Sequence, residues 1–258
     1  MKITTWNING IRARKDALEA WLLANKPDVI FLQEVKADAG KIPQTFHALD
    51  GYHAFWNGST FKPGYSGVGV LVKNDLAKTL GEPEFTIPDF DIENRLVQAR
   101  FGSLILIGIY TPRGDSDEHY AIKLRLLETL KNYSASLIEE KKEVLICGDM
   151  NVAHKSIDVH YSQNKPNATG LRPAERAAID RLMSVGLSDI VRDLHPNEDK
   201  LYSWWAYWKG ARERNLGWRI DCFYVTEKLA SLTKEATIDA EEKSSDHSPV
   251  TITINYQM

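Results

Sequence analysis

The sequence predicts an α/β sandwich in which mixed β-sheets are covered by helices on the outside. Strand-like runs outnumber helical segments, and some neighbouring runs are close enough to form hairpins. The chain has 258 residues, of which 43% are hydrophobic, and this is enough to bury a sizeable core. Because no low-complexity tract or Pro/Gly-rich linker divides it, we expect one domain over residues 1–258.

The predicted elements are eight strands and three helices. The strand-like runs are rich in Val, Ile and Phe and end at Gly, Pro, Asn or Asp. They lie at residues 2–8, 28–34, 67–74, 95–101, 103–110, 143–149, 219–226 and 250–256. Apolar residues recur with helical spacing over 12–24, 117–141 and 173–185. Pro173 stands at the expected first position of the third helix.

The charge, the cysteines and the first residues restrict the class of protein. The formal net charge of −3 excludes a surface that is basic throughout, but it allows a local basic patch. No apolar run approaches the roughly 18 residues of a membrane span. The start, MKITTWNING, lacks the features of a signal peptide. Since Cys147 and Cys222 lie in apolar strand-like runs, we expect buried free thiols and a cytoplasmic location.

Polar residues stand at or beside the ends of the predicted strands. The stretch VLICGDMNVAH (144–154) runs from apolar residues straight into Asp149 and then Asn151, and a buried carboxylate is costly unless something compensates it. Similar residues accompany the other strands: Asn7, Asn9, Glu34, Tyr110, Asp221, Asp246 and His247. Turn chemistry explains any one of them, but Glu and Tyr are not favoured turn residues. We therefore expect two packed sheets to bring them into one cleft.

This set of side chains indicates hydrolysis of a phosphate ester. Carboxylate and amide oxygens without a cysteine cluster suit a hard cation such as Mg²⁺ or Mn²⁺. An Asp near a His can activate water, and Asn and Tyr can donate to phosphate oxygens as charge develops. The sequence contains no Gly-x-Ser-x-Gly elbow, so it fits acyl transfer poorly. It also contains no Gly-x4-Gly-Lys-Ser/Thr loop, which disfavours an NTPase.

Seven motifs, in this order and at this approximate spacing, resemble those of a known family. They are WNING (6–10), LQEVK (32–36), GYSGVGV (64–70), IYTP (109–112), GDMNVAH (148–154), GWRID (217–221) and SDHSPV (245–250). They resemble the exonuclease III-type apurinic/apyrimidinic (AP) DNA endonucleases of the DNase I-like endonuclease/exonuclease/phosphatase superfamily. The resemblance implies a four-layer α/β sandwich with two mixed sheets face to face. It also implies Mg²⁺-dependent cleavage of the DNA backbone 5′ to an abasic site.

The same resemblance implies a role for each residue of the cleft. Asn7 and Glu34 would ligate the metal, with Asp246 beside them, while Asp149, Asn151 and His247 could touch a second cation. Asp149 would orient or deprotonate the attacking water. Asn151 would stabilise the transition state, and His247, held by Asp221, would contact the scissile phosphate. Tyr110 would support the phosphate or the leaving oxygen.

Residues 200–219 predict a surface that faces DNA. They hold five basic residues against one acid, together with Trp204, Trp205, Trp208 and Trp218, a combination that fits phosphate contacts with stacking or wedging. In the alternative, Trp205 and Trp218 would pack in the core and the basic residues would face solvent. We expect the core position for Trp205. The resemblance implies an abasic-sugar pocket at Trp204 and Trp218.

Further DNA contacts are expected outside this segment. Asn164 and Asn167 match the phosphate-contacting asparagines of the family, and Tyr65 in GYSGVGV is either a minor-groove contact or a structural residue. Three positions depart from the family pattern. Asn9 stands where some relatives carry Asp, and Arg113 stands where many carry Asn or Gln. Trp208 stands where one branch has a smaller wedge residue. Arg113 could bind phosphate or simply face solvent.

The sequence thus predicts a monomeric AP endonuclease that acts on double-stranded DNA containing abasic sites. It would be associated with the nucleoid if the source is prokaryotic, and 3′–5′ exonuclease and 3′-phosphodiesterase activities could accompany cleavage. Two alternatives remain. One is a phosphoesterase of the same superfamily acting on RNA or on a phosphorylated inositol or lipid head group. The other is a DNA-binding module with an inactive site, which the complete set of catalytic residues disfavours.

Overall fold

The computed structural model describes residues 1–208 and 210–256. In chain order its strands are β1 (Lys2–Asn7), β2 (Val29–Gln33), β3 (Tyr52–Asn57), β4 (Val68–Lys73), β5 (Glu84–Thr86), β6 (Leu96–Phe101), β7 (Leu104–Tyr110), β8 (Glu143–Asp149), β9 (Leu187–Asp189), β10 (Trp204–Trp205), β11 (Gly217–Trp218), β12 (Asp221–Thr226), β13 (Thr233–Ile238) and β14 (Val250–Ile254). The helices are α1 (Lys15–Asn25), α2 (Gln44–His47), α3 (Asn74–Leu80), α4 (Asp117–Glu139), α5 (Pro173–Met183), α6 (Ile190–Leu194) and α7 (Glu227–Leu232).

The strands form two six-stranded mixed sheets and one two-stranded ribbon. The first sheet has the order β13-β14-β1-β2-β4-β3, and the second has the order β5-β6-β7-β8-β12-β9. Within each sheet one central pair is parallel, β1 with β2 and β7 with β8. The ribbon pairs β10 with β11. The predicted α/β sandwich with two mixed sheets is confirmed.

Alternate residues of the central strands serve different layers of the sandwich. Val29 and Phe31 of β2 belong to the core between the sheets, where they share a cluster with Leu106 and Leu145 of the second sheet. Their neighbours on β2 pack instead against α1, and the outer face of the second sheet packs against α4 and α5. Because both faces of these strands are buried, β2, β7 and β8 are near-continuous apolar runs. This arrangement gives the four layers that the resemblance implied.

The strand predictions agree with the structure to within two residues at each end. All eight predicted strands are present, and Pro173 is the first residue of α5. The first helix begins at Lys15 rather than at residue 12, since the preceding residues form a turn. Several elements were not predicted, among them β3, β13 and the shorter helices. The edge strand β13 reads TKEATI and has exposed polar positions, so it lacks the apolar signal of a core strand.

The register of the sheets brings the polar strand ends together. Asn7 pairs with Gln33, the residue before Glu34, across the parallel pair of the first sheet. In the second sheet Asp149 lies between Tyr110 on one side and Asp221 on the other. Cys147 and Cys222 are buried free thiols, as expected. Among the helices of the described residues, none combines the length and apolarity that a membrane span requires.

Candidate active site

A cavity of about 190 Å³ lies at the edge where the two sheets meet. It is lined by Glu34, Tyr110, Arg113, Asp149, Asn151, Thr169, Trp204, Trp218, Ile220, Asp246 and His247. Nine of these eleven residues belong to the set predicted from the sequence. A larger apolar groove of about 510 Å³ lies elsewhere, between α1 and the 45–52 loop, away from this polar set. Six residues of the polar strand-end set line this one cavity, whereas Asn7, Asn9 and Asp221 do not line it and are joined to it by hydrogen bonds.

Asn7 joins the two sheets at the floor of the cavity. It is fully buried, and its Nδ2 donates to Glu34 Oε1 and to Asp149 Oδ2, each at 2.9 Å. Lys36 Nζ lies 2.5 Å from Glu34 Oε2. Although burial by itself raises the pKa of Glu34, the Lys36 ammonium and the Asn7 amide hold that pKa below its usual value. Glu34 therefore faces the cavity as a carboxylate.

Left-handed backbone conformations are concentrated around these groups. Asn9, Glu34, Lys36 and Asn151 have φ values of 47°, 49°, 52° and 48°. Such conformations are uncommon for residues other than glycine, and they persist only where the surroundings enforce them. Here they turn the chain directly after β1, β2 and β8, and the side chains that follow these strands are brought to the cavity.

Glu34, Asp149 and His247 could together hold a metal ion. One potential ligand atom from each lies within 4.8 Å of the others. Burial, together with the neighbouring carboxylates of Asp221 and Glu34, raises the pKa of Asp149, while His247 opposes the shift. Acidic groups crowded in this way are costly to ionise unless a cation offsets their charge, so the donor set fits a divalent ion.

Asp246 lines the same cavity, but its oxygens already have partners. Asn9 Nδ2 donates to Asp246 Oδ1 at 2.9 Å, and Trp204 Nε1 donates to Asp246 Oδ2 at 3.0 Å. Asn9 Oδ1 in turn accepts a hydrogen bond from Lys36 at 2.6 Å. An amide at position 9 can donate to Asp246, which a second carboxylate at that position could not do without a proton.

His247 is hydrogen-bonded to Asp221, the partner that the resemblance implied. Its Nδ1 lies 2.9 Å from Asp221 Oδ2, while its Nε2 lies 3.8 Å from Asp149 Oδ2. Burial lowers the pKa of His247, but the carboxylates of Asp221 and Asp149 outweigh this and raise that pKa to about 10. Ser203 Oγ donates to Asp221 Oδ2 at 2.6 Å, so a third residue fixes the pair. Nothing in the strand-end pattern indicated Ser203.

Asn151 and Tyr110 complete the polar wall of the cavity. The backbone N–H of Asn151 donates to Asp149 Oδ1 at 2.8 Å, and its side-chain Nδ2 donates to the carbonyl oxygen of Thr111 at 2.9 Å. Burial, together with the nearby acids Glu34 and Asp149, raises the pKa of Tyr110 well above its usual value. Tyr110 therefore keeps its proton and remains a hydrogen-bond donor.

The opposite wall is aromatic and is built by the two-stranded ribbon. Trp204 and Trp218 face each other across it in register. Their rings are 5.8 Å apart at 86°, and Trp218 Nε1 donates to Gln163 Oε1 at 2.6 Å. Trp205 is buried in a small separate cluster, as expected. The acidic group and the two tryptophans thus share one cavity.

Comparison with known proteins supplies the family of this chain. A model described as the endonuclease/exonuclease/phosphatase family matches residues 4–247. The chain belongs to this family. An exodeoxyribonuclease from Bacillus subtilis (strain 168) is 36% identical, over 99% of this chain and 100% of that protein. The DNA repair nuclease APEX1 of Danio rerio is 33% identical, over 98% of this chain and 81% of that protein.

The chain is also similar to a solved structure of an AP endonuclease. The structure of an AP endonuclease from Archaeoglobus fulgidus superimposes with a TM-score of 0.87 at 33% identity, over 99% of this chain and 100% of that one. The resemblance to exonuclease III-type AP endonucleases is therefore confirmed, and the chain is a nuclease of this type.

Four of the predicted DNA-binding residues do not line the cavity of this nuclease: Tyr65, Asn164, Asn167 and Trp208. Tyr65 is half-buried and accepts a hydrogen bond from Arg95, whose guanidinium also lies 4.9 Å from the ring centroid of Tyr110. Asn164 accepts a hydrogen bond from Arg176 at 3.2 Å. Trp208 is 52% exposed in the loop between the ribbon strands. Their contact with DNA stays a prediction.

Thr169 and Ile220 line the cavity, and sequence reasoning missed both. It also assigned no role to Lys36, which pairs with Glu34. Lys36 lies within the motif LQEVK, so its position two residues after the acid was a usable signal. Thr169 lies in a loop without periodicity, and no pattern in the sequence distinguishes it.

Proposed function

We propose that this nuclease is a Mg²⁺-dependent AP endonuclease that cleaves the DNA backbone 5′ to abasic sites. One observation carries the proposal: the acidic group at Glu34 and Asp149 and the tryptophan pair at 204 and 218 line the same cavity of about 190 Å³. An abasic nucleotide is extruded at lower cost than a normal one, because it lacks stacking and pairing. A cavity this small suits a bare sugar better than a nucleoside.

Asn7 and Glu34, with Asp246 beside them, are the Mg²⁺ ligands that the resemblance implies, and Mn²⁺ could substitute. The geometry adds Asp149 and His247, whose ligand atoms lie within 4.8 Å of one another and of Glu34. When bound, the ion neutralises phosphate charge and polarises the bond to phosphorus. The hydrogen bond from Asn7 to Glu34 orients that carboxylate toward the cavity. His247 uses its Nδ1 for Asp221, so Nε2 is left for the cavity. While protonated, Nε2 would donate to the phosphate, and it could ligate a second cation only after losing that proton.

Asp149 is the proposed base that takes a proton from the attacking water. It is almost completely buried, and the backbone N–H of Asn151 fixes one of its oxygens at 2.8 Å. Asn151 and His247 border the same cavity, where they would donate to phosphate oxygens as negative charge develops. Tyr110, on the same polar wall as Asn151, and Arg113 would support the phosphate or the leaving oxygen.

The 3′–5′ exonuclease and 3′-phosphodiesterase activities form a second candidate for the same site. They are favoured by the exodeoxyribonuclease of Bacillus subtilis, which matches the chain over its whole length. Both reactions hydrolyse a phosphate ester at a 3′ end, so the same base, cation and phosphate contacts would serve them. Hydrolysis of an inositol or lipid phosphate is disfavoured, since it would leave the tryptophan wall without a use.

A single assay separates these possibilities. The pure protein is incubated with a duplex that carries one tetrahydrofuran abasic analogue and, in parallel, with the intact duplex, each with Mg²⁺ or with EDTA. We expect one incision, 5′ to the analogue, that requires the cation. Stepwise shortening from the 3′ end in both duplexes, without internal incision, would favour the exonuclease. Cleavage in EDTA would contradict the metal-dependent mechanism.

A further inference from the structure

Behind the cavity lies a buried ion pair that no step above uses. It joins Lys123 of α4 to Glu175 of α5 at 2.6 Å, and both side chains are fully buried. Lys123 lies on the apolar face of its helix, close to Leu126, Leu127 and Leu130. A buried ion pair is weak evidence for stability, because a well-packed apolar pair often stabilises a fold as well or better. The contacts of this pair therefore matter more than its presence.

Among the described residues, the remaining side-chain hydrogen bonds of the pair go to backbone groups of loops that line the cavity. The Lys123 ammonium donates to the carbonyl oxygen of Arg113 at 2.6 Å and to that of Asn151 at 3.0 Å. The second oxygen of Glu175 accepts from the backbone N–H of Gly170 at 2.8 Å and of Arg172 at 3.1 Å. One ion pair thus ties together the loops that carry Arg113, Asn151 and Thr169.

The loops pack closely against the ion pair and against each other. A Cβ on Gly114 would stand 3.2 Å from Lys123 Nζ, and Gly114 has a φ of +83°. A Cβ on Gly170 would stand 2.8 Å from the carbonyl oxygen of Asn151. Asn151 itself has a left-handed backbone, which persists only if its surroundings enforce it. An apolar pair in place of Lys123 and Glu175 would fill the space but would offer no hydrogen bond to the carbonyl oxygens of the loops.

We propose that Lys123 and Glu175 are positioning residues that hold the Asn151 and Arg113 loops in the geometry required for phosphodiester hydrolysis. The inference rests on the proposed role of Asn151 in the transition state. Lys123 touches neither substrate nor cation and acts through the backbone of Asn151. Its loss should therefore lower kcat while DNA binding and the Mg²⁺ requirement, which depend on other groups, change little.

The primary variant is Lys123→Met, which keeps the length of the side chain and removes its donors. We expect kcat to fall by roughly tenfold to 10²-fold, since a small misplacement can cost that much. The KM and the Mg²⁺ concentration for half activity should stay within about threefold, because Glu34 and the tryptophan wall are untouched. Lys131→Met makes the same substitution at a partly exposed position of α4, and Leu137→Ala destabilises the same helix near its C-terminal end, about four turns from Lys123. Both controls should keep the wild-type kcat per folded molecule.

A double-mutant cycle decides whether Lys123 acts through Asn151. In an Asn151→Ala background, Lys123→Met should cost less than about threefold, because the group it positions is already gone. Glu175→Gln keeps the shape of the pair and should give a smaller kcat loss that is suppressed in the same way. If Lys123→Met does not fold, the double-mutant cycle of Glu175→Gln with Asn151→Ala becomes the test of the proposal. A wild-type kcat, or losses that multiply in full with Asn151→Ala, would overturn the proposal.

The assay also separates this proposal from the proposed function. Each loss is a ratio to the wild type on the same DNA, so it can be measured on whichever phosphodiester the wild type cleaves. If the wild type does not incise the abasic duplex, the proposed substrate is wrong. The ratio of variant to wild-type kcat can then still be measured on shortening from the 3′ end. If the wild type incises the abasic duplex and the variants have the wild-type kcat, only the positioning role is wrong.

Discussion

The floor and the aromatic wall of the cavity are built in different ways. The floor consists of side chains at the ends of long strands, and Asn7, Asp149, Asp221 and His247 are all buried there and hydrogen-bonded to one another or to Glu34. The wall is formed by a ribbon of two-residue strands, and the loop between these strands carries the exposed Trp208. The difference suggests that the floor is organised for chemistry, whereas the wall has room to adapt to DNA. Variants of the floor should then lose rate, and variants of the wall should lose selectivity.

The largest effect should come from Asp149→Asn on the floor. The substitution preserves the shape of the side chain but removes the base, and we expect kcat to fall by roughly 10²–10⁴-fold or more. DNA binding should be retained or tightened, since a charge that repels phosphate is gone. Single-turnover cleavage and fluorescence anisotropy measure the two effects. Asp75→Asn, at an exposed residue outside the active-site cavity, is the matched control. A near wild-type kcat would remove Asp149 from its assigned role.

The second prediction tests whether the floor acts as a unit. Because Asp221 orients His247 through a 2.9 Å hydrogen bond, the losses from Asp221→Asn and His247→Ala should not add. We expect His247→Ala to lower kcat by about 10²-fold and the double variant to be little worse. The four enzymes are compared under single-turnover conditions with saturating Mg²⁺. Losses that multiply in full would show that the two residues act independently.

A smaller effect is expected when the floor keeps its base but loses a candidate ligand. Glu34→Gln should raise the Mg²⁺ concentration for half activity by about tenfold or more, because a carboxylate is replaced by a neutral amide. High Mg²⁺ should restore most of the rate. The measurement is a Mg²⁺ titration of initial rates against the wild type. An unchanged titration curve would place the cation elsewhere.

The smallest change in rate, but the largest in selectivity, should come from the wall. Trp218→Ala should lower the ratio of abasic to intact cleavage by roughly fivefold, since the lost contacts are worth about 1 kcal/mol, and the Mg²⁺ requirement should stay the same. Trp208→Ala, outside the cavity, should alter binding or product release more than the chemical step. Both are measured at fixed salt, because phosphate contacts depend on salt. A wild-type ratio for Trp218→Ala would mean that this ring serves only the packing of the ribbon.

The sequence was most informative where one physical requirement dominated. The core strands are apolar on both faces because helices cover the outside of each sheet, so their composition revealed them to within two residues. Edge elements such as β13 and the half-buried β3 were missed, since exposed or partly exposed positions relax that requirement. The lysine on the apolar face of α4 was a signal that could have been used, because an unpaired ammonium is not buried there without cost.

By itself, the sequence determined the layers of the fold, the family and the chemical types gathered at the strand ends. Those properties follow from local composition and from motifs that are continuous in the chain. Only the tertiary structure decided which atoms meet, because the contacts join residues that are distant in sequence. Asn7 meets Asp149 across the two sheets, and Lys123 reaches Asn151 and Glu175 from a neighbouring helix. Such pairings depend on strand register and helix packing, and no local pattern of residues encodes them.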